Sequence, residues 1–66
     1  MIIKFIHEYK IKGSTSDRVL MIFEDEVGWL YIAKMGDTVD NIFPSIEWIE
    51  TYFNTKFELV NTYEVI

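Results

Sequence analysis

An amphipathic segment in the second half of the chain constrains the fold most strongly. At about 100° per residue, the apolar side chains between residues 44 and 54 fall in one arc, and the polar ones fall in the opposite arc. The apolar arc contains Ile46, Trp48, Ile49, Tyr52 and Phe53. No other stretch has a clean helical period, so the pattern predicts a single substantial helix lying on an apolar sheet.

The ends of this helix are marked by residues that favour helix termini. Pro44 suits the first turn, where its missing N–H costs nothing, and Ser45 is a competing start as N-cap. Asn54 suits a left-handed C-terminal cap. We therefore expect a helix over 44–54, with Ile46, Ile49 and Phe53 against the sheet.

The other segments show the two-residue period of β-strands. The predicted strands are Ile2–Ile11, Arg18–Glu24, Trp29–Met35 and Lys56–Val65. The second is apolar on both faces, which predicts a central position in the sheet. A hairpin over 24–28 joins it to the third, with Gly28 free to adopt positive φ. Residues 36–43 are a predicted connection, and the last strand is expected to set Phe57, Leu59, Tyr63 and Val65 on one face.

The order β-β-β-α-β predicts one α+β domain over residues 1–66. We expect a four-stranded, mainly antiparallel sheet with the helix packed on one face. The last strand has two allowed positions, beside the first strand or beside the third.

The charge of the chain is acidic and unevenly distributed. The net charge is −5, but residues 1–18 carry +2 and residues 19–66 carry −7. Direct binding of nucleic acid is not expected, because phosphate recognition requires a basic surface. The chain has no cysteine, which excludes disulfides and thiolate metal sites.

The composition also bears on location and origin. No targeting segment is visible and no apolar run approaches the length of a membrane span, so a cytoplasmic protein is expected. Ten isoleucines against one alanine indicate AT-rich coding, as in a low-GC bacterium or one of its phages. A phage origin would place the protein in the host cytoplasm.

No catalytic, cofactor or metal-binding motif is present. The single histidine, His7, lies among apolar residues of the first strand and is interpreted as a hydrogen-bonded residue in or near the core. A nucleophilic triad would need partners that the sequence does not identify. The acidic segments 24–26 and 37–41 lack the ligand spacing of a calcium loop. We expect a protein without enzymatic activity, cofactor or metal.

Carboxylates and aromatic residues form the candidate partner-binding set. Its members are Glu24, Asp25, Glu26, Asp37, Asp40, Glu47, Trp48, Glu50 and Tyr52. Glu47 and Glu50 are predicted to share the outer face of the helix. The carboxylates are either a soluble coat or an array that engages a basic protein. Trp48 and Tyr52 either complete the core or stand half-exposed as binding anchors.

Two functional hypotheses follow. The first is a protein-binding module, most concretely a small acidic inhibitor from a phage or mobile element. It would mimic DNA and block the basic, nucleic-acid-binding site of a host or defence protein. The second is a structural homodimer or assembly subunit that buries surplus aromatic surface, since the chain holds five Phe, four Tyr and two Trp.

Overall fold

A computed structural model describes residues 2–32 and 41–65 of the chain. It contains five strands and one helix in these ranges. They are β1 (Ile3–Ile11), β2 (Leu20–Asp25), β3 (Leu30–Ile32), β4 (Asn41–Phe43), α1 (Ile46–Phe53) and β5 (Phe57–Glu64). The strands form one antiparallel sheet in the order β4-β3-β2-β1-β5. The predicted α+β class is confirmed, and β2 is the central strand, as its two apolar faces predicted.

The strand count differs from the prediction, because the chain forms a fifth strand where a connection was expected. Asn41–Phe43 pairs with β3, with Phe43 opposite Leu30 and Ile42 opposite Tyr31. A three-residue strand is too short to show a two-residue period in the sequence. The part of the third predicted strand beyond Ile32 lies outside the described residues.

The last strand lies beside the first, which resolves the alternative left open by the sequence. Its predicted face pattern is wrong, because a bulge interrupts the pairing of β5 with β1. Tyr9 lies opposite Leu59 and Glu8 lies opposite Asn61, so Val60 is the extra residue. One extra residue reverses the alternation of side chains. Leu59, before the bulge, therefore lies on the face that α1 covers. Tyr63, after the bulge, lies on the opposite face.

The core lies between α1 and one face of the sheet, here called the helix-covered face. Its buried apolar residues are Ile22, Leu30, Ile32, Phe43 and Ile49. Tyr9, Leu20, Ile46 and Phe57 pack against this cluster. Ile49 is the only residue of α1 that is buried, with no exposed surface. Phe53 was expected in the core but remains half-exposed. The centroid of its ring lies 5.0 Å from that of Tyr52 and 6.2 Å from that of Phe57.

Candidate protein-binding site

An open apolar groove lies between α1, the edge strand β4 and the start of β3. Its volume is about 540 Å³. We call it the aromatic groove, and it is lined by Trp29, Ile42, Phe43, Pro44, Trp48, Thr51 and Tyr52. A neighbouring recess is lined by Glu47, Trp48 and Thr51, so the carboxylate of Glu47 borders the groove. The geometry combines an apolar floor with an acidic rim.

The start of α1 determines which side chains reach this groove. Ser45 is the N-cap, and its Oγ accepts the N–H of Trp48 at 3.4 Å. Asn54 closes the helix in the predicted left-handed conformation, at φ 53°. With these ends, Ile49 points into the core while Trp48 and Tyr52, four residues apart, lie on the flank facing β4.

Trp48 and Tyr52 are exposed and do not belong to the buried core. They are 62% and 59% exposed, so the interpretation that both complete the core is wrong. Tyr52 packs edge-to-face on Phe43 with ring centroids 5.4 Å apart. This contact fixes one wall of the groove while leaving most of the tyrosine ring accessible. Half-exposed aromatic residues held in a fixed position are typical of binding hot spots.

The hairpin that carries Trp29 is held by the carboxylate of Asp25. Oδ1 of Asp25 accepts the N–H groups of Val27 (3.0 Å) and Trp29 (2.9 Å), and Oδ2 accepts the hydroxyl of Tyr31 at 2.6 Å. Gly28 has the positive φ that the turn requires, 97°. Asp25 was predicted to face a partner, but it is only 5% exposed. Its role is to order the hairpin that positions Trp29.

This hydrogen bonding also sets the ionisation of the two side chains. Burial alone would raise the pKa of Asp25, but donation from Tyr31 and from the backbone of Trp29, Val27 and Gly28 lowers the pKa below its usual value. The same contact with Asp25, followed by burial, raises the pKa of the Tyr31 hydroxyl. The pair therefore remains carboxylate and phenol over a wide pH range.

Glu24 is also directed into the fold. Its Oε1 accepts a hydrogen bond from Nε2 of His7 at 2.7 Å, and Nδ1 of His7 lies 2.9 Å from Oγ1 of Thr62. The His7 and Glu24 side chains are 15% and 29% exposed. The predicted hydrogen-bonded histidine is confirmed, and this network joins β1, β2 and β5. Glu24 does not belong to an outward acidic array.

Glu47 and Glu50 do not form the expected outward pair on α1. Oε2 of Glu50 accepts the N–H of Phe57 at 2.8 Å, and Lys56 lies 3.9 Å from its Oε1. The Glu50 side chain is 14% exposed, so it joins the end of α1 to β5 and is withdrawn from partners. Glu47 is exposed.

The remaining carboxylates of the predicted site are Glu26, Asp37 and Asp40. Glu26 is exposed on the hairpin and accepts the N–H of Ile2 at 2.8 Å. Asp37 and Asp40 lie outside the described residues. Of the nine predicted site residues, Glu47, Trp48 and Tyr52 are brought together at the groove.

The sequence did not identify Trp29, Ile42, Phe43 and Pro44 as site residues. Trp29 was assigned to a strand, and Ile42 and Phe43 were assigned to a connection. No local pattern links the start of β3 to β4, because their proximity depends on strand pairing between distant segments. Two tryptophans in so short a chain were the only available signal.

Three further observations concern the functional class. Among the described residues, no group of three or more His, Cys, Asp or Glu side chains is arranged to hold a metal ion. Within the same ranges, no helix has both the length and the apolar character needed to cross a membrane. No family model matches the sequence, and no curated protein and no solved structure matches the chain.

Proposed function

We propose that this chain is a non-enzymatic protein-binding module whose contact surface is the aromatic groove. The observation that carries the proposal is the exposure of Trp29, Trp48 and Tyr52 around one apolar groove. Tryptophan and tyrosine dominate the energetics of protein interfaces because they bury large areas at low entropic cost. The groove volume, about 540 Å³, suits one or two apolar side chains of a partner.

Charge determines the kind of partner that this groove would accept. Glu47 borders the groove, and the chain carries a net charge of −5. A partner with basic residues around an apolar protrusion would be attracted from a distance and then anchored by the aromatic side chains. By covering such a basic surface the chain would act as an inhibitor, the role predicted for a small acidic phage protein.

The proposal replaces a continuous carboxylate array with an aromatic anchor and a local acidic rim. Asp25, Glu24 and Glu50 are engaged within the fold, so they contribute little to a surface that imitates nucleic acid. Binding should depend mainly on Trp48 and Tyr52, and the association rate should depend on Glu47.

Affinity capture from a low-GC bacterial lysate tests this function. Trp48→Ala should reduce retention of a specific partner about 30-fold, as expected for loss of a hot spot. Glu47→Lys should slow association and reduce its dependence on salt. Val27→Ala is the matched control, because Val27 is exposed and lies outside the groove. Equal retention by the parent, Trp48→Ala and Val27→Ala chains would show that the groove is not the binding surface.

A further inference from the structure

The sheet face opposite α1, here called the helix-free face, carries a continuous apolar row. The pairings place one residue from each strand side by side: Tyr63, Ile6, Phe23, Tyr31 and Ile42. An antiparallel sheet covered on one side usually presents polar residues on the other. Here the outward row is apolar across all five strands, and the helix of the described residues lies on the opposite side.

Much of this row is accessible. Tyr63 and Ile42, at the two ends, are 50% and 58% exposed, Ile6 and Phe23 are partly exposed, and Tyr31 is buried at 8%. The hydroxyl of Tyr31 is bonded to Asp25, so the polar end of this ring is already satisfied. Met21 continues the apolar surface on β2, next to Phe23. An apolar patch of this extent normally marks an interaction surface.

The charged groups on the helix-free face are Lys10 against Glu8, Glu58 and the buried Asp25. Lys10 lies directly opposite Glu58 in the pairing of β1 with β5. Glu8 on β1 lies near Tyr63 and raises the pKa of the Tyr63 hydroxyl. These groups sum to −2, with Asp25 withdrawn into the hairpin, so the pairing of two copies relies on the apolar row and not on charge.

The area of the face is close to what a stable dimer requires. Strands spaced at about 4.8 Å make a five-stranded sheet roughly 24 Å wide, and the strand lengths give a flat area on the order of 500 Å². Because side chains project from the sheet, the accessible area exceeds the flat area. It approaches the roughly 600–800 Å² that each partner contributes to a specific interface. The apolar row lies near the centre of this area, where interfaces are most apolar.

We propose that the helix-free face binds the same face of a second copy of this chain, forming a symmetric dimer with two packed sheets and a helix on each outer side. A two-fold axis places the same apolar row on both sides of the interface. Two sheets that pack face to face lie about 10 Å apart and bury their inner side chains as in a β-sandwich. The dimer leaves Trp48 and Tyr52 of each aromatic groove accessible, while Ile42, which also lines the groove, contributes to the interface.

A second copy fits this face better than an unrelated basic protein does. The apolar row of the helix-free face holds no carboxylate, and of those beside it Asp25 is buried and Glu58 lies opposite Lys10. This inference does not depend on the function proposed for the groove.

Sedimentation velocity across the micromolar range tests the dimer, together with thermal unfolding at each concentration. The parent should shift from the mass of one chain, 7.9 kDa, to that of two, and its unfolding midpoint should rise with concentration. Phe23→Lys and Tyr63→Lys should each raise the dissociation constant about 30-fold or more, because each places an unpaired charge in the interface. Tyr63→Lys lies at the sheet edge and tests the face even if Phe23→Lys fails to fold.

Trp48→Lys is the matched control, since it adds the same charge on the helix side and should leave self-association unchanged. A parent that stays monomeric throughout would overturn the proposal. So would an assembly larger than two chains, a dimer unaffected by Tyr63→Lys, or one that dissociates with Trp48→Lys. The last result would place the contact at the aromatic groove.

Discussion

The two faces of the sheet carry similar apolar side chains but differ in what lies against them. On the helix-covered face, Ile22 and Ile49 have no exposed surface. On the helix-free face, Ile42 and Tyr63 keep half or more of theirs. For these residues burial follows the position of one short helix, whereas Asp25 and Tyr31 on the helix-free face are buried by their own hairpin contact. The two faces should therefore respond differently to the same substitution.

The largest expected difference is between Ile49→Ala and Ile42→Ala. Ile49→Ala creates a cavity in the core and should lower the free energy of unfolding by roughly 2–5 kcal/mol, enough to unfold so small a domain. Ile42→Ala should cost less than about 1 kcal/mol in the monomer, because Ile42 is already 58% exposed. Urea unfolding of both variants measures the contrast.

Protein concentration sharpens the same comparison. If the helix-free face pairs with a second copy, the cost of Ile42→Ala should grow as concentration rises, whereas the cost of Ile49→Ala should grow little. Equal costs for the two substitutions in dilute solution would contradict the assignment of α1 to one face.

A smaller effect is expected at the polar network of the helix-covered face. His7→Leu leaves the partly buried carboxylate of Glu24 without its imidazole donor and should cost about 1–3 kcal/mol. The double variant with Glu24→Leu should recover part of this loss, since both polar partners are then removed. A double-mutant cycle from urea unfolding gives the coupling free energy between His7 and Glu24. Additive single costs would mean that the hydrogen bond between His7 and Glu24 does not stabilise the fold.

The smallest effect is confined to acid and involves the edge of the helix-free face. Because the pKa of Asp25 is lowered in the folded chain, its ionised form stabilises the fold above the unfolded value near 3.8. That contribution is lost as the pH falls through the lower folded pKa. The free energy of unfolding, measured from pH 5 downwards, should change less steeply with pH in Asp25→Asn than in the parent. The difference should correspond to up to about one proton. Identical slopes would show that Asp25 ionises alike in both states.

Much of the architecture was predictable because it depends on local patterns. The helix, with its Ser45 and Asn54 ends, follows from a period of 3.6 residues and from capping preferences. The Gly28 turn and the central position of β2 follow from turn chemistry and from two apolar faces. Each of these properties is carried by residues adjacent in sequence.

The candidate site required the tertiary structure, because its residues meet only through long-range pairing. Pairing of β4 with β3 brings Ile42 and Phe43 beside the start of β3, and the helix then closes the groove with Trp48 and Tyr52. The bulge at Val60, which moves Tyr63 to the other face, likewise depends on register against β1. Sequence alone determined that the chain is acidic, rich in aromatic residues and built as β-strands around one helix. Only the packing decided which carboxylates turn inward and which aromatic rings remain exposed, because both depend on contacts between residues far apart in the chain.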